Sequence, residues 1–166
     1  MSESLTIRVK NISRIMTAAI TLLVFIGDQA TKAMVVSSIP ERAVIPIIPH
    51  FLNLTNVSNA GAAFGMFSDA PSPLKSVILI IVSAALLAIV LIYAWRNPRL
   101  HWEAGVGLAL ILGGALSNLV DRVRLGRVVD FLDFYLRGYH WYTFNLADSA
   151  IVIGAGFLII QVIFVE

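Results

Sequence analysis

The sequence predicts a membrane protein that is all-α apart from a small β element: four transmembrane helices plus a surface-lying β-cradle in the first long connection. Three observations carry that prediction. The chain of 166 residues is 58% apolar and only 13% charged, whereas a soluble domain needs a charged, water-facing shell around its core. Four runs approach the length of about 20 apolar residues that crosses roughly 30 Å of hydrocarbon. Between the first two runs lies a proline-rich stretch in which apolar and polar residues alternate, a strand pattern.

The first run, about 15–36, follows Arg8, Lys10 and Arg14 and carries Asp28 and Lys32 near its far end. A basic flank before an apolar stretch also suits a cleavable leader. No small-x-small site follows Ile26, however, and the chain continues as Gly27-Asp28-Gln29, so a retained helix is expected. The region 37–72 contains Phe51-Leu52-Asn53-Leu54-Thr55-Asn56-Val57, which predicts short strands at the membrane surface. The second run, 77–95, has no charge, and Arg96 to Glu103, with Asn97-Pro98, predicts a tight turn. The third run, 104–120, is short and glycine-rich. Its Gly105, Gly107, Gly113 and Gly114, with Gly154 and Gly156 of the fourth run, 149–165, predict close helix approach. The second long connection, 121–143, is dense in charges and aromatics, and its Trp141 and Tyr142 suit a membrane–water boundary. The whole chain, 1–166, reads as one domain.

Four spans place both termini on one side and both long connections on the other. Lysine and arginine counts do not choose the sides cleanly. Arg8, Lys10, Arg14, Arg96 and Arg99 lie on the terminal side, against Lys32, Arg42, Lys75, Arg122, Arg124, Arg127 and Arg137 on the other. The first span's basic flank usually dominates, and arginines near an aspartate cluster can serve as ion-pair partners, so cytoplasmic termini are expected.

Composition removes several classes of function. A net charge of +2 without a basic stripe gives no support to nucleic-acid binding. The chain has no cysteine, hence no thiol nucleophile and no thiolate metal site. His50, His101 and His140 are scattered and no HExxH occurs, so neither a metal nor a cofactor is expected.

The acids are more informative. Asp28, Asp121, Asp130, Asp133 and Asp148 lie near helix ends or in the second connection, and carboxylates close to hydrocarbon need a reason to be there. Asp121 precedes Arg122 and Arg124 and reads most simply as their ion-pair partner or as part of a solvated turn. Asn145 and Asp148 are spaced as an N-cap and a first-turn acid of the fourth helix. Asp130, within Val128-Val129-Asp130-Phe131, has no adjacent cation and no simple structural role. Two aspartates brought within hydrogen-bond range share one proton and act as acid and base toward water and a peptide carbonyl. A transporter or proton relay is the alternative reading of such carboxylates, but the apolar middles of the later helices offer no continuous polar path.

Five ordered segments carry a resemblance. Asp28-Gln29-Ala30-Thr31-Lys32, Asn59-Ala60-Gly61-Ala62-Ala63-Phe64-Gly65, Gly113-Gly114-Ala115-Leu116-Ser117-Asn118-Leu119-Val120-Asp121-Arg122, Gly126-Arg127-Val128-Val129-Asp130-Phe131 and Phe144-Asn145-Leu146-Ala147-Asp148 resemble, in order, the motifs of the bacterial lipoprotein signal peptidases (signal peptidase II). Ser117 departs from a pattern that more often has glycine. The resemblance implies that Asp130 and Asp148 are a catalytic aspartyl dyad. It implies supporting roles for Asn118, Arg122 and Asn145 around that dyad, and for Asp28, Lys32, Asn59 and Gly61 in holding the site or the substrate. It also implies a diacylglyceryl-modified prolipoprotein as substrate, cut on the amino side of the lipidated cysteine, membrane lipid as a partner, action as a monomer, and an active site near the extracytoplasmic face of the bacterial inner membrane. Within the pair, the helix position of Asp148 suits a resting base and the apolar setting of Asp130 suits the shared proton.

Overall fold

The computed structural model describes residues 2–60, 73–97 and 100–164. Gly61 and Phe64 lie outside the described residues. The elements run in the order α1 (Ser2–Ser38), β1 (Val44–Ile48), β2 (Leu52–Asn59), α2 (Pro73–Arg96), α3 (Trp102–Leu125), β3 (Val128–Leu136), β4 (Tyr139–His140) and α4 (Leu146–Phe164). Among the described residues, four helices are long and apolar enough to cross a membrane, spanning Arg14–Ser38, Ser76–Arg96, Trp102–Leu125 and Leu146–Phe164.

Two expectations are corrected. The third helix does not stop near residue 120 but continues to Leu125, where Gly126 in the left-handed region (φ +69°) donates its N–H to the Arg122 carbonyl and closes the last turn. Asp121 and Arg122 therefore project from a helix rather than a loop. The β element is also not confined to the first connection. Its longest strand, β3, lies in the second, and the antiparallel sheet has the order β1-β2-β3-β4. The period-2 signal is missing from β3 because consecutive residues Val128 to Phe131 are all buried, so both faces of that segment are covered.

Helix α3 is the hub of the bundle, and its small residues explain why. A Cβ on Gly107 would lie 2.8 Å from the Gly154 carbonyl oxygen, and one on Gly154 would lie 2.6 Å from that of Gly107. Only hydrogen at both positions lets α3 and α4 meet backbone to backbone. Gly113 makes the same kind of approach to Thr21 of α1, whose Oγ1 donates to the Ala109 carbonyl at 3.2 Å. Gly105 and Gly156, also expected to allow close approach, have nothing within 4 Å of an added Cβ. Helix α2 is peripheral, with Ile81, Leu86, Ile89 and Ile92 all more than half exposed. In hydrocarbon that exposure carries no hydration penalty.

Helices α1 and α3 run parallel, since Thr21 meets Ala109 while Gln29 meets Ser117. Helix α4 runs antiparallel to them, its start against Gly114 and its middle against Gly107. Near the other end, the Arg14 guanidinium lies 4.6 Å from the Trp95 ring centroid at the close of α2. The helix ends that lead to the termini thus share one end of the bundle, as span parity predicts. The sheet sits at the opposite end. There Val35, from the last turn of α1, and Ile39, just beyond it, pack on Phe131 with Ala43, Leu54 and Leu132, and the Asn56 amide donates to the Ile39 carbonyl at 2.8 Å. The β3–β4 turn is Arg137-Gly138, both residues with positive φ (51° and 84°), the backbone a tight two-residue hairpin requires.

Candidate active site

Three elements that are distant in sequence converge where the sheet meets the bundle. The end of α3 supplies Asn118 and Arg122, β3 supplies Asp130, and the start of α4 supplies Asn145 and Asp148. What brings β3 to α4 is backbone pairing: Phe144 N–H donates to the Leu132 carbonyl, while Phe131 and Leu132 N–H both reach the Phe144 carbonyl. The residue after Phe144 is then forced against Asp130.

That residue, Asn145, caps α4 as its spacing predicted. Its Oδ1 accepts the Asp148 N–H at 2.9 Å, and Asp148 Oδ2 accepts the Asn145 N–H at 3.3 Å, a reciprocal box that satisfies otherwise unpaired helix donors. The cap has a chemical consequence. A backbone N–H can only donate, so the amide atom facing it is the oxygen, and the Asn145 NH₂ group must point the other way. It donates to Asp130 Oδ1 at 2.7 Å. One asparagine therefore caps the helix and links the two carboxylates.

Asp130 is 1% exposed. Its second oxygen accepts from Asn59 Nδ2, at the end of β2, at 2.9 Å. Burial is the main reason its carboxyl is pushed up to about 6. The nearby Asp148 charge acts in the same direction, and the amides of Asn59 and Asn145 offset part of the rise. Asp148 is only half-buried and accepts from Asn118 Nδ2 at 2.8 Å. The Arg122 guanidinium donates to the Asn118 carbonyl at 3.3 Å and lies close enough to feel the charges of both Asp148 and Asp130. Among the described residues, no Lys or Arg nitrogen forms an ion pair with either aspartate.

A second cluster lies beneath the first and is built differently. Lys32 Nζ is 2.6 Å from Asp28 Oδ2, 2.6 Å from Asp121 Oδ2 and 2.9 Å from Asn118 Oδ1, with the side chains of Lys32 and Asp28 only 4% and 0% exposed. Asp28 Oδ1 also accepts the Ala147 N–H at 2.9 Å, satisfying another donor of the first turn of α4.

Every expected site residue within the described chain belongs to one of these two linked clusters, and Gly61 is the exception by position. Three members were not among the expected site residues: Asp121, Ser117 and Gln29. Asp121 does not pair with Arg122 or Arg124. Once α3 extends to Leu125, Ser117 and Asp121 stand one helical turn apart on the buried face toward α1, whereas Arg124 is exposed. Ser117 Oγ donates to Asp28 at 2.6 Å, and Gln29 Nε2 donates to Ser117 Oγ at 2.9 Å and to Asp121 Oδ1 at 2.7 Å. The i, i+4 spacing of 113, 117 and 121 is the signal that could have found them. Asp133 points elsewhere, accepting from Asn53 at 2.8 Å and pairing with His140 at 2.9 Å.

Four candidate spans with a carboxylate-centred polar site at one end define a multi-pass membrane protein built around that site. Comparison with known proteins makes the class specific. Residues 20–164 match the family described as Signal peptidase (SPase) II. The chain is 42% identical over 145 residues to a lipoprotein signal peptidase of Desulforapulum autotrophicum, covering 87% of this chain and 90% of that protein. It is 39% identical over 144 residues to one of Solibacter usitatus, covering 87% and 88%. A solved bacterial membrane enzyme, determined by the in meso method at 2.3 Å, superposes with a TM-score of 0.78 at 34% identity over 89% of this chain and 87% of that one. This chain belongs to the signal peptidase II family of bacterial membrane proteases.

Proposed function

We propose that the chain is an aspartyl endopeptidase that removes signal peptides from diacylglyceryl-modified prolipoproteins, with Asp130 and Asp148 as the catalytic pair. The observation that carries the aspartyl assignment is the pair of carboxylates tied together by Asn145, each receiving amide hydrogen bonds and neither ion-paired among the described residues. In this reading the half-buried Asp148 takes a proton from water as the water oxygen attacks the carbonyl carbon of the scissile bond. Asp130, which burial keeps protonated up to about pH 6, gives its proton to the carbonyl oxygen. The resulting gem-diol collapses as a proton passes to the leaving nitrogen and the C–N bond breaks. Asn118, Asn145 and Asn59 hold the carboxylates, and Arg122 places a positive charge near both of them. No covalent intermediate is required.

The position of the pair supports the substrate. Both acids lie at a helix mouth beside the sheet, the depth at which the cleavage site of a lipid-anchored, membrane-threaded peptide would emerge. We place that end at the extracytoplasmic face of the inner membrane, with cytoplasmic termini, a monomeric enzyme and lipid as part of the substrate. The family relationship gives the transporter alternative no support. The test is to incubate the purified protein in detergent with a diacylglyceryl-modified prolipoprotein and with its unlipidated precursor. Cleavage of the lipidated form alone, on the amino side of the modified cysteine, is expected. Equal cleavage of both would remove lipid from the substrate definition.

A further inference from the structure

What Asn118 does for the proposed base depends on which way its amide points, and the cluster beneath it settles that. An ammonium group only donates, so the atom 2.9 Å from Lys32 Nζ is the Asn118 oxygen. Its NH₂ group is thereby directed at Asp148 Oδ1, 2.8 Å away. Turning the amide over would set NH₂ against ammonium and a carbonyl oxygen against a carboxylate, two repulsive contacts in a poorly solvated site.

Lys32 is itself fixed. Its ammonium lies 2.6 Å from a carboxylate oxygen of Asp28 and of Asp121 and donates to the Asn118 oxygen at 2.9 Å. Asp28 is anchored by the Ser117 hydroxyl and the Ala147 N–H, Asp121 by Gln29, and Gln29 also reaches Ser117, so the side chains close into a ring. Lys32, Asp121, Ser117 and Gln29 hydrogen-bond to neither Asp130 nor Asp148. We infer that Lys32 is a positioning residue, locked by Asp28 and Asp121, that orients the Asn118 amide so that its NH₂ faces Asp148, with Ser117 and Gln29 completing the same device. This rests on the role given above to Asp148.

Removing Lys32 alone would strand two carboxylates in the interior, so the test removes all three charges with little change of shape. Buried ion clusters replaced in this way commonly keep their stability. The Asp28→Asn/Lys32→Met/Asp121→Asn variant should retain the parental thermal midpoint and KM in detergent, while kcat on the lipidated precursor falls about 10- to 100-fold. In an Asn118→Ala background the same three substitutions should lower kcat much less, because only the direct charges of Lys32 and Asp28 on the carboxylates are then lost. An equal loss of kcat in both backgrounds, or parental kcat in the triple variant, would overturn the inference. If the triple variant does not fold, Asp121→Asn alone leaves a neutral Asp28 and Lys32 pair and serves in the same cycle, with a drop of about 3- to 10-fold expected that again shrinks without Asn118. Asp148→Asn is assayed in parallel. Parental cleavage by that variant, with the cycle still non-additive, would remove the aspartyl reading and leave the coupling between Lys32 and Asn118 standing.

Discussion

Two pairs of aspartates lie within one polar region of this protein, and their partners differ in kind. Asp28 and Asp121 share the ammonium of Lys32, with both contacts at 2.6 Å. Asp130 and Asp148 receive amide donors instead, from Asn59, Asn145 and Asn118. Amides orient a carboxylate without neutralising it, whereas an ammonium group does both. Burial alone therefore does not mark reactive acids. Asp28, at 0% exposure, is as buried as Asp130 at 1%, yet it is committed to holding α1, α3 and the start of α4 together. The pair without a counter-ion is the one left able to trade protons.

The largest effect on stability should come from breaking the neutralised pair on one side only. Lys32→Met leaves two carboxylates in the interior without their cation and should cost about 3–5 kcal/mol, read as a large fall in the thermal midpoint in detergent. Wild-type stability for this single variant would mean that the cluster is solvated. A smaller loss, about 1–3 kcal/mol, is expected for Gly114→Ala, whose new Cβ would fall on the Ala147 carbonyl and within 2.9 Å of Ile151. Because Ala147 precedes Asp148, cleavage should decline together with the thermal midpoint.

Asp130→Asn should act in the opposite direction on stability. The Asp130 carboxyl is pushed up from its ordinary value of 3.8 to about 6, so it is harder to ionise in the folded protein than in the unfolded chain. Below about pH 4 both states are protonated and the group has no effect. Between about pH 4 and 6 the unfolded chain ionises first and stability falls as pH rises, with the full penalty present above about 6. The asparagine variant should lose this decline and be more stable at pH 7 by on the order of 1–2 kcal/mol, after allowing for one amide contact made less favourable. Unfolding midpoints measured from pH 4 to 8 would check the sign. Arg124→Ala should be nearly silent, within about 0.5 kcal/mol, because Asp121 pairs with Lys32 and not with its sequence neighbours.

How far these differences were visible beforehand varied with the kind of signal. The membrane spans follow from run length, because hydrocarbon imposes a one-dimensional requirement that a sequence displays directly. The cap formed by Asn145 and Asp148 was legible for the same reason, being a local spacing. Strand β3 was not, since both of its faces are covered near Asp130 and the usual alternation is absent. The partner of Asp121 was missed because two arginines beside it in sequence outweighed a lysine that lies 89 positions earlier and meets it only through packing of α1 on α3. The candidate pair of acids emerged from the ordered motifs, while the reason these two differ from Asp28 and Asp121 needed the geometry of their partners.

The central claim is that chemistry resides in the carboxylates without a counter-ion. Its most direct test is single-turnover cleavage of a diacylglyceryl-modified prolipoprotein by Asp130→Asn and Asp148→Asn, each first shown to keep the parental thermal midpoint or better. The account predicts that both lose about 10³-fold or more in rate while still binding the precursor. Parental cleavage by either folded variant would contradict it.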